Sequence, residues 1–252
     1  MKIIRKLNWA IHHAVHTDSW RTLFSKLGIF LPVSKSRWLT AQKFEFHAWA
    51  LPEIWDSQQI HPSFINEGTK SEFIIGASEQ ALGINLNSLL SDKIVIDVAC
   101  GPCSVLAPMH SPSAKFGVDP FPFPDWVLNR YKSLDFKLFQ GTLEDLVLDL
   151  EEDSGIPVFI MYNALQHFGS PFKALQKLSK LSSCHSVLII EYLDTPADRA
   201  HPQILTERRI LRILRRLNYK SCKSVKIDAY LENLVQLGVG KPAKIGAFLA
   251  SK

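Results

Sequence analysis

The spacing Cys100-Gly101-Pro102-Cys103 is the first feature of this chain that could do chemistry. Two cysteines at this spacing form a redox dithiol when one thiolate attacks a substrate disulfide. That chemistry needs a long helix after the second cysteine, because the helix N-terminus lowers the pKa of the attacking thiol. Pro108 and Pro112 interrupt the segment that follows. The sequence therefore disfavours a dithiol oxidoreductase and keeps it as an alternative.

Carboxylates end two consecutive apolar runs, which is typical of a nucleotide site. Asp97 ends the first run, and Asp119 ends the second and precedes Pro120. The turn after the first run consists of small residues that allow a close approach of backbone to ligand, namely Ala99, Cys100 and Gly101. A carboxylate at the position of Asp119 can accept hydrogen bonds from both ribose hydroxyls. The alternative is that both aspartates hold turns through backbone N–H groups.

Polar residues also follow the next runs of the chain. Glu144 comes after the third run, and Asn163 and His167 come after the fourth, one helical turn apart. An imidazole titrates near neutral pH and can take a proton from a hydroxyl, so His167 and the later His201 are candidate general bases. Glu191 ends the fifth run and is expected to orient one of these histidines. The alternative is that both histidines pack loops.

These residues need a sheet to position them, and the sequence from about residue 91 predicts one. Short apolar segments alternate with helical ones, which indicates an α/β fold with a mainly parallel sheet covered on both faces. Ser170 and Pro171 are expected to begin one helix, and "LTERRILRILRRLNY" is a basic amphipathic helix. The predicted strands are "KIVIDVA", "AKFGVD", "FKLFQG", "PVFIMYN" and "SVLIIEY", closed by the antiparallel pair "SCKSVKIDAY" and "AKIGAFLAS".

Residues 1–90 show helical periodicity without strand alternation, as in "KIIRKLNWAIHHAVH" and "TAQKFEFHAWALPEIW". We expect them to form a helical extension that caps the site, followed by a core domain over residues 91–252. The extension is rich in aromatic residues that could line a pocket or pack its own core: Trp38, Phe44, Phe46, Trp49 and Trp55.

Four segments, in order, resemble motifs of the class I S-adenosylmethionine-dependent methyltransferases. "VIDVACGPCS" resembles the first-strand motif, and "FGVDP" resembles the acidic motif of the second strand. "FQGTLEDL" resembles the segment that holds adenine, and "YNALQHFGSPFKALQKLSKL" resembles the fourth strand with its helix. The resemblance covers roughly residues 91–195. It implies a Rossmann-like seven-stranded sheet of order 3-2-1-4-5-7-6, with the last strand antiparallel.

The resemblance implies S-adenosyl-L-methionine as the cofactor and assigns the residues around it. Asp97 would lie near its methionine end, Asp119 would bind the ribose, and Asn163 would bind the amino end. The turn residues Ala99, Cys100 and Gly101, together with Pro120, would approach the cofactor through their backbone. The adenine segment would contribute Thr142, Leu143 and Glu144.

The first-strand motif departs from the family pattern, which usually carries three glycines. Ala99 and Cys103 stand at the first and third of these positions. Alanine fits the first position if its φ is negative. Cys103 would place a side chain where the cofactor passes closely.

The implied activity is O-methylation of a small molecule, such as a saccharide, a lipid-linked sugar or a secondary metabolite, with His167 or His201 as the base. "TPADRAHPQILTE" resembles a group of such small-molecule methyltransferases. The alternative from another class is a cofactor-binding partner subunit without catalysis. The acceptor, the methylated atom and the oligomeric state stay open.

Composition is that of a globular protein, with 46% hydrophobic and 21% charged residues. Four cysteines are too few for a disulfide scaffold, and no signal peptide or transmembrane run is evident, so we expect a cytoplasmic protein. The net charge of +5 permits an anionic acceptor. Nucleic acid is not expected as a partner. Peripheral membrane contact through the first helix is an alternative to its docking on the core, and the basic helix fits a solvated face, a phosphate-bearing substrate or an acidic surface.

Overall fold

The computed structural model describes residues 23–24, 33–49, 72, 74–107, 109–143, 157–181, 186–195, 201–227 and 244–252. Residues 74–82 are helical, and a 3-10 turn covers Leu165–His167. The other helices are α1 Lys35–Trp49, α2 Leu86–Leu90, α3 Asp125–Ser133, α4 Pro171–Leu181 and α5 Glu207–Arg216. The strands are β1 Ile94–Val98, β2 Ala114–Asp119, β3 Phe136–Gln140, β4 Val158–Tyr162, β5 Ser186–Leu193, β6 Ser221–Ile227 and β7 Lys244–Ser251.

The seven strands form one sheet of order β3-β2-β1-β4-β5-β7-β6, as the sequence analysis predicted. Strands β1 to β5 pair in parallel, and β7 runs antiparallel between β5 and β6. Central strands are buried on both faces, and all five residues of β1 are buried. This explains why their sequences are continuous apolar runs rather than alternating ones.

Helices cover both faces of the sheet, and each face has its own apolar core. Helices α4 and α5 pack on one face through residues such as Leu175 and Leu214. Segment 74–82, α2 and α3 pack on the other face through residues such as Leu86 and Val127. Ser170 caps α4 as predicted, because its hydroxyl accepts from the backbone N–H of Lys173 at 3.3 Å.

One lysine inside the sheet was not predicted to be buried. Lys115 lies in β2 and is 7% exposed. Its ammonium donates to the carbonyls of Ala107, Met109 and Leu134 at 2.7–2.9 Å. Burial lowers the pKa of this amine. Because the three carbonyls belong to the segment after β1 and the segment before β3, Lys115 ties these connections together below the site.

Helix α1 begins at Lys35, upstream of the predicted segment "TAQKFEFHAWALPEIW", and covers its first ten residues. The predicted helix near the N-terminus, Trp55 and Glu144 lie outside the described residues. Helix α3, between β2 and β3, was not predicted. No helix in the described part of the chain has the length and apolar character needed to cross a membrane.

Candidate functional site

The turn after β1 has an unusual backbone, with Ala99 at φ +56° and Gly101 at φ +59°. The condition under which alanine fits this position, a negative φ, is therefore not met. The backbone N–H of Ala99 donates to the Val118 carbonyl at 2.8 Å, which holds the turn against the end of β2. An alanine whose backbone lies in the left-handed region is less stable by about 1–2 kcal/mol than one in the right-handed region. The fold therefore keeps a glycine-type turn although glycine is missing.

Asp119, at the end of β2, holds this turn from the neighbouring strand. Its Oδ2 accepts from the Gly101 N–H at 2.8 Å, and its Oδ1 accepts from the Phe121 N–H at 2.9 Å. The side chain is 3% exposed. These two bonds orient the carboxylate at the end of β2.

A buried polar network supports the same turn from below. Asp97 is 2% exposed, and its Oδ2 accepts from the Ser104 hydroxyl at 2.6 Å. The Tyr131 hydroxyl donates to the Gly101 carbonyl at 2.6 Å and accepts from the Ser104 N–H at 2.9 Å. Burial raises the pKa of Asp97 to about 7. Sequence analysis missed Ser104 and Tyr131, although Val127 and Tyr131 are spaced as one buried face of a helix.

The cysteine pair does not have the environment of a redox dithiol. The Cys100 side chain is buried against β2, and burial raises the pKa of its thiol well above the usual value. Cys103 is half-buried, and its sulfur accepts a long hydrogen bond from the Arg130 guanidinium at 3.5 Å. Both cysteines are free thiols. A buried thiol with a raised pKa is a poor nucleophile, which argues against the oxidoreductase alternative.

Beyond β4 the chain turns sharply into the segment that carries His167. Asn163 adopts φ +51°, and its side-chain oxygen accepts from the Gln166 amide. Glu191 was expected to orient a histidine, and the structure corrects this. Its Oε1 instead accepts from the backbone N–H groups of Ala164 and Leu165, each at 2.6 Å, at the start of the 3-10 turn. Burial raises the pKa of Glu191 to about 8.

The two candidate bases lie next to each other although 34 residues separate them in sequence. The ring centroids of His167 and His201 are 4.8 Å apart. The backbone carbonyl of His167 accepts from Trp38 Nε1 at 3.0 Å and from Gln42 Nε2 at 3.1 Å. These two bonds connect helix α1 to the 3-10 turn.

An open cleft of about 480 Å³, including space open to solvent, lies between α1 and the carboxyl ends of the strands. It is bordered by segments that follow β1, β2 and β3 and by the turn after β4. This is the switch point of the sheet, where strand order reverses between β1 and β4, and open α/β sheets bind ligands there. The lining residues are Trp38, Gln42, Val98, Ala99, Val118, Pro120, Gly141, Thr142, Leu143, His167, Phe168 and Gly169.

The cleft brings together five of the predicted site residues: Ala99, Pro120, Thr142, Leu143 and His167. Another group is not among the lining residues: Asp97, Cys100, Gly101, Asp119, Asn163 and His201. Sequence analysis missed Gln42, Gly141, Phe168 and Gly169. Gly169 lies two residues after the predicted His167, and this position in the loop beyond β4 was the available signal.

Solved structures resemble the whole arrangement at low sequence identity. A SAM-dependent methyltransferase from Thermotoga maritima, described as a possible histamine N-methyltransferase, is 11% identical over 86% of this chain and 99% of its own, with a TM-score of 0.50. Magnesium protoporphyrin IX methyltransferase from Synechocystis PCC 6803, solved with bound SAM, is 11% identical over 85% and 94%, with a TM-score of 0.52. The [4+2]-cyclase SpnF is 11% identical over 72% and 80%, with a TM-score of 0.53.

No family model matches the chain, and no curated protein matches its sequence. At 11% identity these similarities establish the fold, since one fold hosts several chemistries. The strand order, the antiparallel β7 and the similarity to solved methyltransferases agree with one another. The chain therefore has the fold of the class I S-adenosylmethionine-dependent methyltransferases.

Proposed function

We propose that this protein is a methyltransferase that uses S-adenosyl-L-methionine and methylates a small molecule. The observation that carries the proposal is the cleft at the switch point, where segments after three adjacent parallel strands meet the turn after β4.

The residues of the cleft fit this cofactor. Val98, Val118 and Leu143 give apolar walls suited to a planar base. Gly141 and Thr142 line the cleft beside them, and Thr142 contributes a hydroxyl for a polar edge. Asp119 is the ribose-binding residue, because it lies between the lining residues Val118 and Pro120 and its carboxylate is oriented by the N–H groups of Gly101 and Phe121.

The other predicted cofactor residues act by shaping turns. Asp97 holds the β1 turn through Ser104, and Gly101 receives both the Asp119 and Tyr131 contacts. Asn163 fixes the turn after β4. Glu144 belongs to the adenine segment by its place in the sequence. Cys100 packs beneath the turn and contributes its backbone.

The N-terminal region, residues 1–90, is a cap that completes the site over the core of residues 91–252. Trp38 and Gln42 support this, since both line the cleft and both donate to the His167 carbonyl. The cap would exclude water from the reacting atoms and contact the acceptor.

The acceptor is a small molecule bound between the cap and the 3-10 turn. Trp38 and Phe168 offer apolar surface to it, and the described lining contains no Lys, Arg, Asp or Glu side chain. This favours a neutral acceptor over an anionic one. A hydroxyl on a saccharide, lipid-linked sugar or secondary metabolite fits both this lining and a nearby imidazole.

His167 is the general base in this proposal, and His201 is its neighbour in a shared proton path. When bound, S-adenosyl-L-methionine supplies a methyl group on a positively charged sulfur. Val98, Val118 and Leu143 would hold the cofactor so that it could supply this methyl group to the acceptor oxygen. The hydroxyl proton passes to a ring nitrogen of His167 and then to solvent. The cleft contributes mainly by alignment of the two reactants.

Calorimetric titration with S-adenosylmethionine and S-adenosylhomocysteine tests the cofactor site. Micromolar binding to the native protein, weakened in Asp119→Ala, is the expected result. Asp125→Ala is a matched control, because Asp125 is an exposed carboxylate on α3. A thermal melt of each variant separates a lost contact from a lost fold. Absence of binding to either ligand by the folded native protein would overturn the proposal.

A cofactor-binding partner subunit without catalysis is the second candidate, and the left-handed Ala99 in the cleft favours it. A binding protein tolerates a methyl group beside the cofactor more readily than an enzyme that must align two reactants. Transfer of a labelled methyl group to any small molecule of a cell extract, lost in His167→Ala, would exclude this candidate.

A further inference from the structure

Charge is distributed very unevenly over this protein. Residues 171–181, residues 207–227 and Lys252 together hold 12 of the 29 Lys and Arg residues but one of the 24 Asp and Glu residues. They carry a formal charge of +11, so the rest of the chain carries −6. We call these segments, which comprise α4, α5, β6 and the last residue, the basic face.

The structure places these segments side by side. Helices α4 and α5 contact each other and pack on the same apolar core. The Lys252 ammonium donates to the Ser179 carbonyl at the end of α4 at 2.8 Å, and it lies 5.6 Å from the Tyr219 ring after α5. The charges of α4, α5 and Lys252 therefore lie together on one side of the sheet.

Most of the charged ends on this face point to solvent. Helix α5 buries Ile210, Ile213 and Leu214, and its arginines occupy the opposite side. Arg209 is an exception, since its guanidinium binds the Ile204 carbonyl and the Gln203 side chain. The exposed basic residues include Lys173, Lys180, Arg208, Arg215, Arg216 and Lys220. Glu207, the single acidic residue of these segments, pairs with Lys226 at 2.9 Å.

The width and composition of the basic face indicate which kind of partner it fits. Two adjacent helices, each about 10 Å in diameter, make a layer about 20 Å across, which is too wide for the ~12 Å major groove of DNA. Tyr219 is buried, and none of the exposed large hydrophobic residues of the described chain is an aromatic residue of the basic face. The face therefore offers no exposed aromatic ring on which nucleobases could stack. A broad positive layer without stacking groups fits an extended, flat, negative surface.

We propose that the basic face docks this protein on the surface of a membrane that contains anionic lipids. The arginines of α5 recur about once per helical turn, at positions 208, 212 and 215–216, so successive guanidinium groups can bind separate lipid phosphates. Exposed large hydrophobic side chains of the described residues lie elsewhere, at Leu23, Leu39 and Phe139. Docking is therefore electrostatic and does not require insertion into the bilayer.

The docking surface is separate from the cleft. None of the residues that line the cleft belongs to the basic face. The cleft lies at the carboxyl edge of the sheet, and the basic face covers one side of it. Membrane binding is thus independent of the proposed methyl transfer and can be tested without an acceptor.

The test is co-sedimentation of the full chain with vesicles of phosphatidylcholine alone or mixed with phosphatidylserine, at about 0.05 M and about 0.5 M salt. We expect binding to the anionic vesicles at low salt only. The triple variant Arg208→Gln, Arg212→Gln, Arg216→Gln should bind about 100-fold more weakly, since each Lys or Arg near the surface contributes about a factor of five. Lys173→Gln, Lys180→Gln, Lys220→Gln is a second triple variant in case the first does not fold.

The matched control is Lys93→Gln, Lys132→Gln, Lys137→Gln, which removes the same charge from exposed positions outside the basic face. It should bind anionic vesicles nearly as well as the native protein. Equal losses in the control, no binding to anionic vesicles, or binding that persists at high salt would each overturn the proposal. Tighter binding of duplex DNA or RNA than of vesicles, lost in the arginine variant, would also overturn it.

Discussion

Replacement of Ala99 by glycine should stabilise this protein, which is unusual for a change that removes a methyl group. Ala99 has φ +56°, where an L-residue with a Cβ pays about 1–2 kcal/mol. Glycine avoids this cost but adds about 0.4–1 kcal/mol of chain entropy to the unfolded state. The net expectation is about 0.5–1 kcal/mol of added stability, or about 1–4 °C in Tm for a chain of this size.

Urea unfolding of Ala99→Gly measures this difference directly. Ala114→Gly is the matched control, because Ala114 lies in β2 with an ordinary extended backbone and should lose about 0.5–1 kcal/mol. Gly101→Ala should show the opposite sign, a loss of about 1–2 kcal/mol, since Gly101 has φ +59° and an added Cβ would meet nothing within 4 Å. A loss of stability in Ala99→Gly equal to that of the control would refute the left-handed turn.

Three further changes test the surroundings of the site. Gly117→Ala should destabilise the fold by several kcal/mol, measured by urea unfolding, because the new Cβ would lie 2.5 Å from the Phe136 ring and 2.7 Å from the Cys100 sulfur. Thiol labelling of the native protein should modify Cys103 and spare Cys100 until unfolding, and insulin reduction should be absent; rapid labelling of Cys100 would contradict its burial. Glu191 has a folded pKa of about 8, raised above 4.5, so its stability contribution is full at acidic pH and falls as pH rises toward 8, by about 1.4 kcal/mol per pH unit. Unfolding free energies at pH 6 and pH 8 should therefore differ by about 2 kcal/mol more in the native protein than in Glu191→Gln, and equal slopes would rule out the raised pKa.

The fold was predictable because its strands are short apolar runs separated by helical periodicity. "KIVIDVA" and "PVFIMYN" need no tertiary information to be identified as buried strands, and the observed β1 and β4 lie within them. The strand order, in contrast to the strands, was predicted from the resemblance to a family and not from the apolar patterns. Helix α3 was missed because "DWVLNRYKS" presents only Val127 and Tyr131 as a buried face.

The sequence predicted at which strand ends the site residues lie better than it predicted which atoms their side chains contact. Strand ends meet at one edge of a parallel sheet, so residues after β1, β2 and β3 had to converge there. Which atoms they meet depends on turns. Glu191 was expected to contact a histidine ring. The sharp turn at Asn163 instead brings the backbone N–H groups of Ala164 and Leu165 to its carboxylate. The contribution of Gln42 depends on how α1 docks, which periodicity does not encode.

In the proposed cofactor site, the Asp119 carboxylate would hold the turn and also bind the ribose. Each oxygen is already oriented by a backbone N–H group, of Gly101 on one side and Phe121 on the other. Because these bonds fix the carboxylate before any ligand arrives, binding of ribose would cost little further side-chain entropy. Asp119→Asn would turn an amide donor toward one of these N–H groups, so it should lower both stability and cofactor affinity. The same preorganisation explains why an alanine is tolerated at position 99: hydrogen bonds to β2 and from α3 converge on the turn and outweigh the strain of one residue.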